Sequence, residues 1–193
     1  MTKGRLEAFS DGVIAILIMI MVLELKVPHG TDLAALRPLM PVALTYVLSY
    51  VYLGIYWNNH HHMLHASERI NGAILWANLH LLFWLSLVPF VTGWMGENHV
   101  APVPTALYGA VMLMAAVAYT ILENAIIAEH GPDSRLARAV GGLDRKGLFS
   151  LAAYATSIPL AFVNAWISVA LYVFVALLWL VPDRRIERHL KHA

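Results

Sequence analysis

The chain has 193 residues, of which 60% are hydrophobic and 13% are charged, and its formal net charge is +1. Soluble domains carry about 45–50% apolar and about 25% charged residues. The composition therefore excludes a soluble globular domain, a disordered chain and a nucleic-acid-binding surface. Because the sequence contains no cysteine, it also excludes disulfides, thiolate metal sites and cysteine nucleophiles. We expect an all-α integral membrane protein.

Apolar blocks along the chain predict the membrane spans. A helix that crosses a bilayer needs about 20 mostly apolar residues. Four such blocks precede a longer one, residues 148–181, which at about 50 Å is long enough for two crossings. Pro159 and Asn164 lie where a tight turn would divide that block. The whole chain is therefore predicted to be a single domain of six transmembrane helices, at residues 5–27, 38–62, 70–95, 104–128, 147–163 and 166–182.

The basic residues predict the orientation of these spans. With six crossings, all but Lys26 and Arg37 of the 13 basic residues fall on one side of the membrane. Those on that side are Lys3, Arg5, Arg69, Arg135, Arg138, Arg145, Lys146, Arg184, Arg185, Arg188 and Lys191. Cytoplasmic flanks carry the excess of lysine and arginine, so both termini are predicted to be cytoplasmic. An odd number of crossings would place the C-terminal cations outside.

The first predicted span contains polar residues that need an explanation. Ser10 and Asp11 lie just inside the membrane, where an aspartate requires a partner from another helix. Alternatively, both residues cap the start of the helix at the level of the headgroups. One helix face is traced by residues that recur every three or four positions, namely Arg5, Phe9, Gly12, Ile16, Ile20 and Leu23.

The motif Arg5-x-x-x-Phe9-Ser10-Asp11-Gly12, at the start of the first of six spans, resembles the transmembrane protein 175 family of endosomal and lysosomal potassium channels. The resemblance is to the prokaryotic members in particular, and the strings WNNH at 57–60 and FWLSLVPF at 83–90 extend it. It implies a homotetramer in which the four first helices line a central pore. It also implies a multi-pass channel that lies in the cytoplasmic membrane, in contact with membrane lipids, and conducts potassium ions.

The resemblance places the pore constriction at Ile16, with Ile20 and Leu23 as the next two layers outward. From the residues alone, the same aliphatic side chains are equally suited to facing lipid or neighbouring helices. The filter sequence TVGYG of other potassium channels is missing. An aliphatic ring offers no oxygen ligand, so each cation must shed water, at a cost that grows as the ionic radius falls. We therefore expect potassium to pass in preference to sodium.

The other polar residues of the motif are expected to position the first helix. We expect Asp11, with Arg5 and Ser10, to act as a gating or architectural contact. Its expected partners on the second and third helices are His60, Asn78 and His80. Glu24 is a candidate for attracting cations at the outer mouth, or else forms an interfacial ion pair.

Two other functions are compatible with parts of the sequence. A proton-coupled secondary transporter would use Asp11, His80 and Glu123. A metal-dependent redox protein would use the histidines at the end of the second span, namely His60, His61, His62 and His65. That cluster provides too few ligands for a di-iron site, so no metal or cofactor is expected. No spacing typical of a catalytic site is evident, so no enzyme activity is expected.

Overall fold

The computed structural model describes residues 2–132, 134, 136–137 and 145–180, and the regular structure in these ranges is helical. The α-helices are α1 (Lys3–Leu23), α2 (Met40–His65), α3 (Gly72–Ser86), α4 (Val88–Glu97), α5 (Pro102–His130) and α6 (Arg145–Leu180). A short 3₁₀ helix, Leu33–Leu39, leads into α2. The end of the sixth predicted span lies outside the described residues, as do the basic residues Arg135, Arg138, Arg184, Arg185, Arg188 and Lys191.

Local sequence signals set several helix boundaries. The Asn71 side chain accepts a hydrogen bond of 2.9 Å from the backbone N–H of Ile74, which caps the start of α3. Proline stands in the first turn of α2, α4 and α5, where a missing N–H leaves no hydrogen bond unmade. Gly131, with φ of 84°, follows the last residue of α5.

Five helical stretches within the described residues are long and apolar enough to cross a membrane: Lys3–Leu23, Leu33–His65, Gly72–Glu97, Pro102–His130 and Lys146–Leu180. The third stretch consists of α3 and α4, which are separated only by a break at Leu87. The number of stretches differs from the expected six because the last one runs through the predicted turn between the fifth and sixth spans.

Helix α6 is bent back on itself at Asn164, whose φ and ψ of −160° and 108° are not helical. The Asn164 side chain accepts a hydrogen bond of 3.0 Å from the backbone N–H of Trp166, which restarts the helix. Contacts between the two halves run in opposite order along the chain, from Ser168 to Ser157 at 2.7 Å to Trp179 and Ser150 at 2.9 Å. The two halves therefore lie side by side and antiparallel.

Helix α5 packs against α3, α4 and α6, most extensively against α6. Helix α1 packs on α2, α3 and α4 at the edge of the bundle. It buries one face, formed by Leu6, Ser10, Ile14, Leu17 and Met21, at steps of four, four, three and four residues. The opposite face of α1 carries the predicted pore residues.

Candidate functional site

The apolar outer face of α1 is formed by Phe9, Gly12, Ile16, Ile20 and Leu23, all of which are exposed in the single chain. The exposed fraction reaches 58% at Ile16 and 78% at Leu23. This is the face that the spacing of the residues predicts. An apolar face of this length must be covered by lipid or by another subunit. Met19 and Val22 are also exposed, so the exposure of a side chain does not by itself show whether lipid or another subunit covers it.

Ser10, on the buried face of α1, joins a hydrogen-bonded group of side chains from three helices. The Asn78 amide of α3 donates to Ser10 Oγ at 3.0 Å, and Asn78 Oδ1 lies 2.7 Å from His60 Nε2 of α2. Since an amide oxygen only accepts, His60 Nε2 carries the hydrogen. Ser10 and Asn78 are fully buried, and His60 is nearly so. The arrangement fixes the rotation of α1 against α2 and α3.

Asp11 contacts α2 through a different residue. The indole Nε1 of Trp57 donates a hydrogen bond of 2.9 Å to Asp11 Oδ1. The Trp57 ring stacks on His61, and His61 stacks on His65 one turn further along α2. The sequence analysis named Trp57 only as part of the string WNNH and did not identify it as the partner of Asp11. The available signal was an indole donor in the C-terminal part of the second span.

The remaining motif residues occupy other positions. Arg5 and Phe9 are exposed on the first turns of α1. His80 is half-buried and accepts a hydrogen bond of 3.0 Å from Trp84 Nε1 of its own helix. Of the three expected partners of the motif, Asn78 contacts Ser10 directly and His60 contacts Asn78, whereas His80 accepts a hydrogen bond from Trp84.

At the other end of α1, an ion pair joins the following loop to α4. Lys26 Nζ lies 2.6 Å from Glu97 Oε1, and this hydrogen bond, together with the carboxylate charge, raises the pKa of Lys26 above its ordinary value. Glu97 is a second residue that the sequence analysis missed. An open cavity of about 470 Å³ lies beside the pair and is lined by Ile20, Glu24, Phe90, Trp94 and Glu97, among others.

Three histidines at the end of α2 pack ring against ring instead of converging on a point: His61 stacks on His65 and meets His62 edge to face. The ring centroids of His61 and His65 are 6.0 Å apart, and those of His61 and His62 are 5.6 Å apart. Within the parts of the chain that the structure describes, three or more histidine, aspartate or glutamate side chains do not come together as metal ligands.

Comparison with known proteins relates the chain to a family of channels. Residues 5–89 match the family model described as the endosomal/lysosomal potassium channel TMEM175. A potassium channel of Chryseobacterium sp. (strain P1-3) is 54% identical over 191 residues, which cover 99% of this chain and 99% of the relative. A potassium channel of Streptomyces collinus (strain DSM 40733 / Tue 365) is 34% identical over 91% of this chain and 90% of its own.

A solved structure shows the same similarity in three dimensions. The crystal structure of a lysosomal potassium-selective channel TMEM175 homolog from Chamaesiphon minutus aligns with a TM-score of 0.80 and 28% sequence identity. The alignment covers 93% of this chain and 96% of that one.

Proposed function

The chain belongs to the TMEM175 family and is a multi-pass membrane potassium channel, and on that premise we propose that it conducts potassium in preference to sodium through a constriction formed by Ile16, Ile20 and Leu23. Four copies of α1 surround the pore in a homotetramer. The observation that carries the proposal is the apolar outer face of α1, which the single chain leaves exposed while the opposite face is packed against α2, α3 and α4.

The chemistry of the constriction supplies the preference for potassium. Leu23 follows Ile16 by seven positions, so the three layers extend over about 10 Å along the helix axis. Their side chains offer no oxygen that could replace water, so a cation entering them loses part of its hydration. Because the attraction between an ion and water grows as the ionic radius falls, sodium meets the higher barrier. An aliphatic ring does not distinguish cations from anions, and Glu24 at the outer end of α1 supplies negative charge for that purpose.

The motif at the inner end of α1 positions the pore helix. The contacts of Ser10 with Asn78, and of Asn78 with His60, tie α1 to α3 and α2 inside the bundle. The hydrogen bond between Trp57 and Asp11 is a second contact between α1 and α2, and it lies nearer the surface of the bundle. We assign these contacts, with Arg5, Phe9 and Gly12 on the exposed face, to helix locking and gating. His80 supports α3 through Trp84.

The topology proposed for the channel has six crossings with both termini in the cytoplasm of a prokaryotic cell. The antiparallel contacts on either side of Asn164 support two crossings within α6. An even number of crossings keeps the basic N-terminal and C-terminal residues on one side, as the distribution of lysine and arginine requires. The proposal assigns no catalytic reaction and no cofactor to the protein.

Ion flux into liposomes tests the constriction. Ile16→Asn places a polar side chain at the narrowest layer, so we expect a larger flux and a loss of discrimination between potassium and sodium. Val22→Asn is the matched control, because Val22 is exposed on α1 but points about 120° away from Ile16. It should leave the ratio of potassium to sodium flux unchanged. Equal effects of the two variants would show that the pore face has been assigned incorrectly.

The same liposomes distinguish a channel from a proton-coupled transporter. A channel passes potassium down its own gradient without a pH gradient, and the dehydration barrier predicts the flux order caesium, potassium, sodium. A flux that requires a proton gradient would support the transporter instead.

A further inference from the structure

The connection between α2 and α3, residues 66–71, is held by the end of α5. The backbone N–H groups of Glu68 and Arg69 each donate a hydrogen bond of 3.0 Å to Nε2 of His130, the last residue of α5. The neighbouring Glu129 carboxylate accepts a hydrogen bond from the Asn71 side chain. Two adjacent residues of α5 therefore fasten both halves of this connection.

These contacts define the protonation state of His130. Nδ1 lies 2.9 Å from the backbone carbonyl oxygen of Ile126, and a carbonyl oxygen only accepts, so Nδ1 carries a hydrogen. Nε2 faces two N–H donors and must present its lone pair to them. The arrangement therefore requires the neutral ring with its hydrogen on Nδ1.

We propose that His130 is a pH-sensitive clamp, in which acidification on this side of the membrane adds a proton to Nε2 and releases residues 68–69 from α5. A protonated Nε2 presents an N–H to two other N–H groups, so both hydrogen bonds are lost. A histidine ring is suited to this role because Nε2 accepts hydrogen bonds when it is unprotonated and donates once it gains a proton. His130 is half-buried, so its ring is reached by solvent protons.

The other charged and titratable side chains on these elements do not provide the same acceptor. Glu68 and Arg69 carry opposite charges on exposed side chains of the connection, and Glu129 is engaged by Asn71. His62 and His65 lie in the last turn of α2. The backbone N–H groups of residues 68 and 69 both donate to the His130 ring.

Helix α3 links the connection to the proposed pore helix, α1. Asn71 caps the first turn of α3, and Asn78, two turns further along, binds Ser10 of α1. The clamp thus holds the beginning of α3, and Asn78 of α3 positions the motif of α1. Protonation of His130 is expected to loosen that beginning before it affects the core of the bundle.

Hydrogen–deuterium exchange of the full-length channel in lipid nanodiscs tests the clamp. Exchange is measured at about pH 7.5 and about pH 5.5 and corrected for the intrinsic effect of pH. We expect the protection of the Glu68 and Arg69 amides to fall about tenfold at the lower pH, because two hydrogen bonds are lost. His130→Gln keeps an uncharged acceptor and should retain its protection at both pH values. His29→Gln, in the loop after α1, should behave like the wild type.

The proposal is overturned if protection in the wild type is the same at both pH values. It is also overturned if His130→Gln shows the full decrease seen in the wild type. Should the glutamine fail to make the bonds at about pH 7.5, His130→Ala decides the matter. That variant must show, at both pH values, the low protection that the wild type shows only at the lower one.

Discussion

Asn78 of α3 lies between Ser10 of α1 and His60 of α2 and is the one side chain of the three that contacts both others. Its amide group donates to Ser10 Oγ at 3.0 Å, and its oxygen accepts from His60 Nε2 at 2.7 Å. All three side chains are buried, so water does not reach their polar atoms and these hydrogen bonds must satisfy them. The rotation of the proposed pore helix therefore depends on an amide in a different helix.

Replacement of Asn78 should lower the free energy of unfolding more than most single substitutions do. Asn78→Ala leaves Ser10 and His60 buried without this partner, and we expect a loss of about 2–3 kcal/mol in the free energy of unfolding. Thermal unfolding in detergent measures it. Leu79→Ala, at an exposed neighbouring position, should cost no more than about 0.5 kcal/mol. Similar losses for the two variants would contradict the role of Asn78.

Removal of the indole donor at Trp57 should change gating without changing selectivity. Trp57→Phe deletes the hydrogen bond to Asp11 but keeps an aromatic ring against His61. Since Asp11 lies away from the apolar constriction, we expect an altered open probability and an unchanged ratio of potassium to sodium permeability. Single-channel recording in bilayers measures both quantities.

Two controls make the Trp57 experiment specific. Asp11→Asn should reproduce the change in open probability, because it weakens the same hydrogen bond from the other side. Trp76→Phe, at a residue that is 75% exposed, should leave open probability unchanged. A shift in permeability ratio for Trp57→Phe would place this contact within the selectivity mechanism and contradict the assignment.

Gly109 of α5 permits the close approach of α6. A Cβ at this position would overlap Tyr172 Oη and lie 2.8 Å from Ser157 Oγ. Tyr172 is fully buried and donates a hydrogen bond of 2.9 Å to the Thr105 carbonyl oxygen, so it has little room to move. We expect Gly109→Ala to destabilise the protein by about 1–3 kcal/mol, as measured by thermal unfolding.

Gly54 provides the matched control for Gly109. It lies within α2, and a Cβ built there has no neighbouring atom within 4 Å. Gly54→Ala should therefore stabilise the protein by about 0.5–1 kcal/mol, because alanine loses less backbone entropy in a helix. If both alanine variants were stabilised equally, the close packing of α5 and α6 would not be a constraint.

The sequence by itself determined the class of the protein, the approximate positions of its apolar helices and the exposed face of α1. Helices α1, α2 and α5 overlap the predicted spans 5–27, 38–62 and 104–128. These features are accessible because apolar length and a period of 3.6 residues are properties of a continuous segment. The family motif, too, lies within eight consecutive residues, from Arg5 to Gly12.

Only the tertiary structure decided which side chains meet. It paired Asp11 with Trp57, joined Ser10 to Asn78, directed His80 to Trp84, and brought His130 to the α2–α3 connection. Several polar residues in each helix were possible partners for Asp11, and the choice depended on how each helix is rotated about its axis. That rotation is set by the packing of the whole bundle, because side chains such as Ile14 and Leu85 must fill the core together. No local segment contains this information.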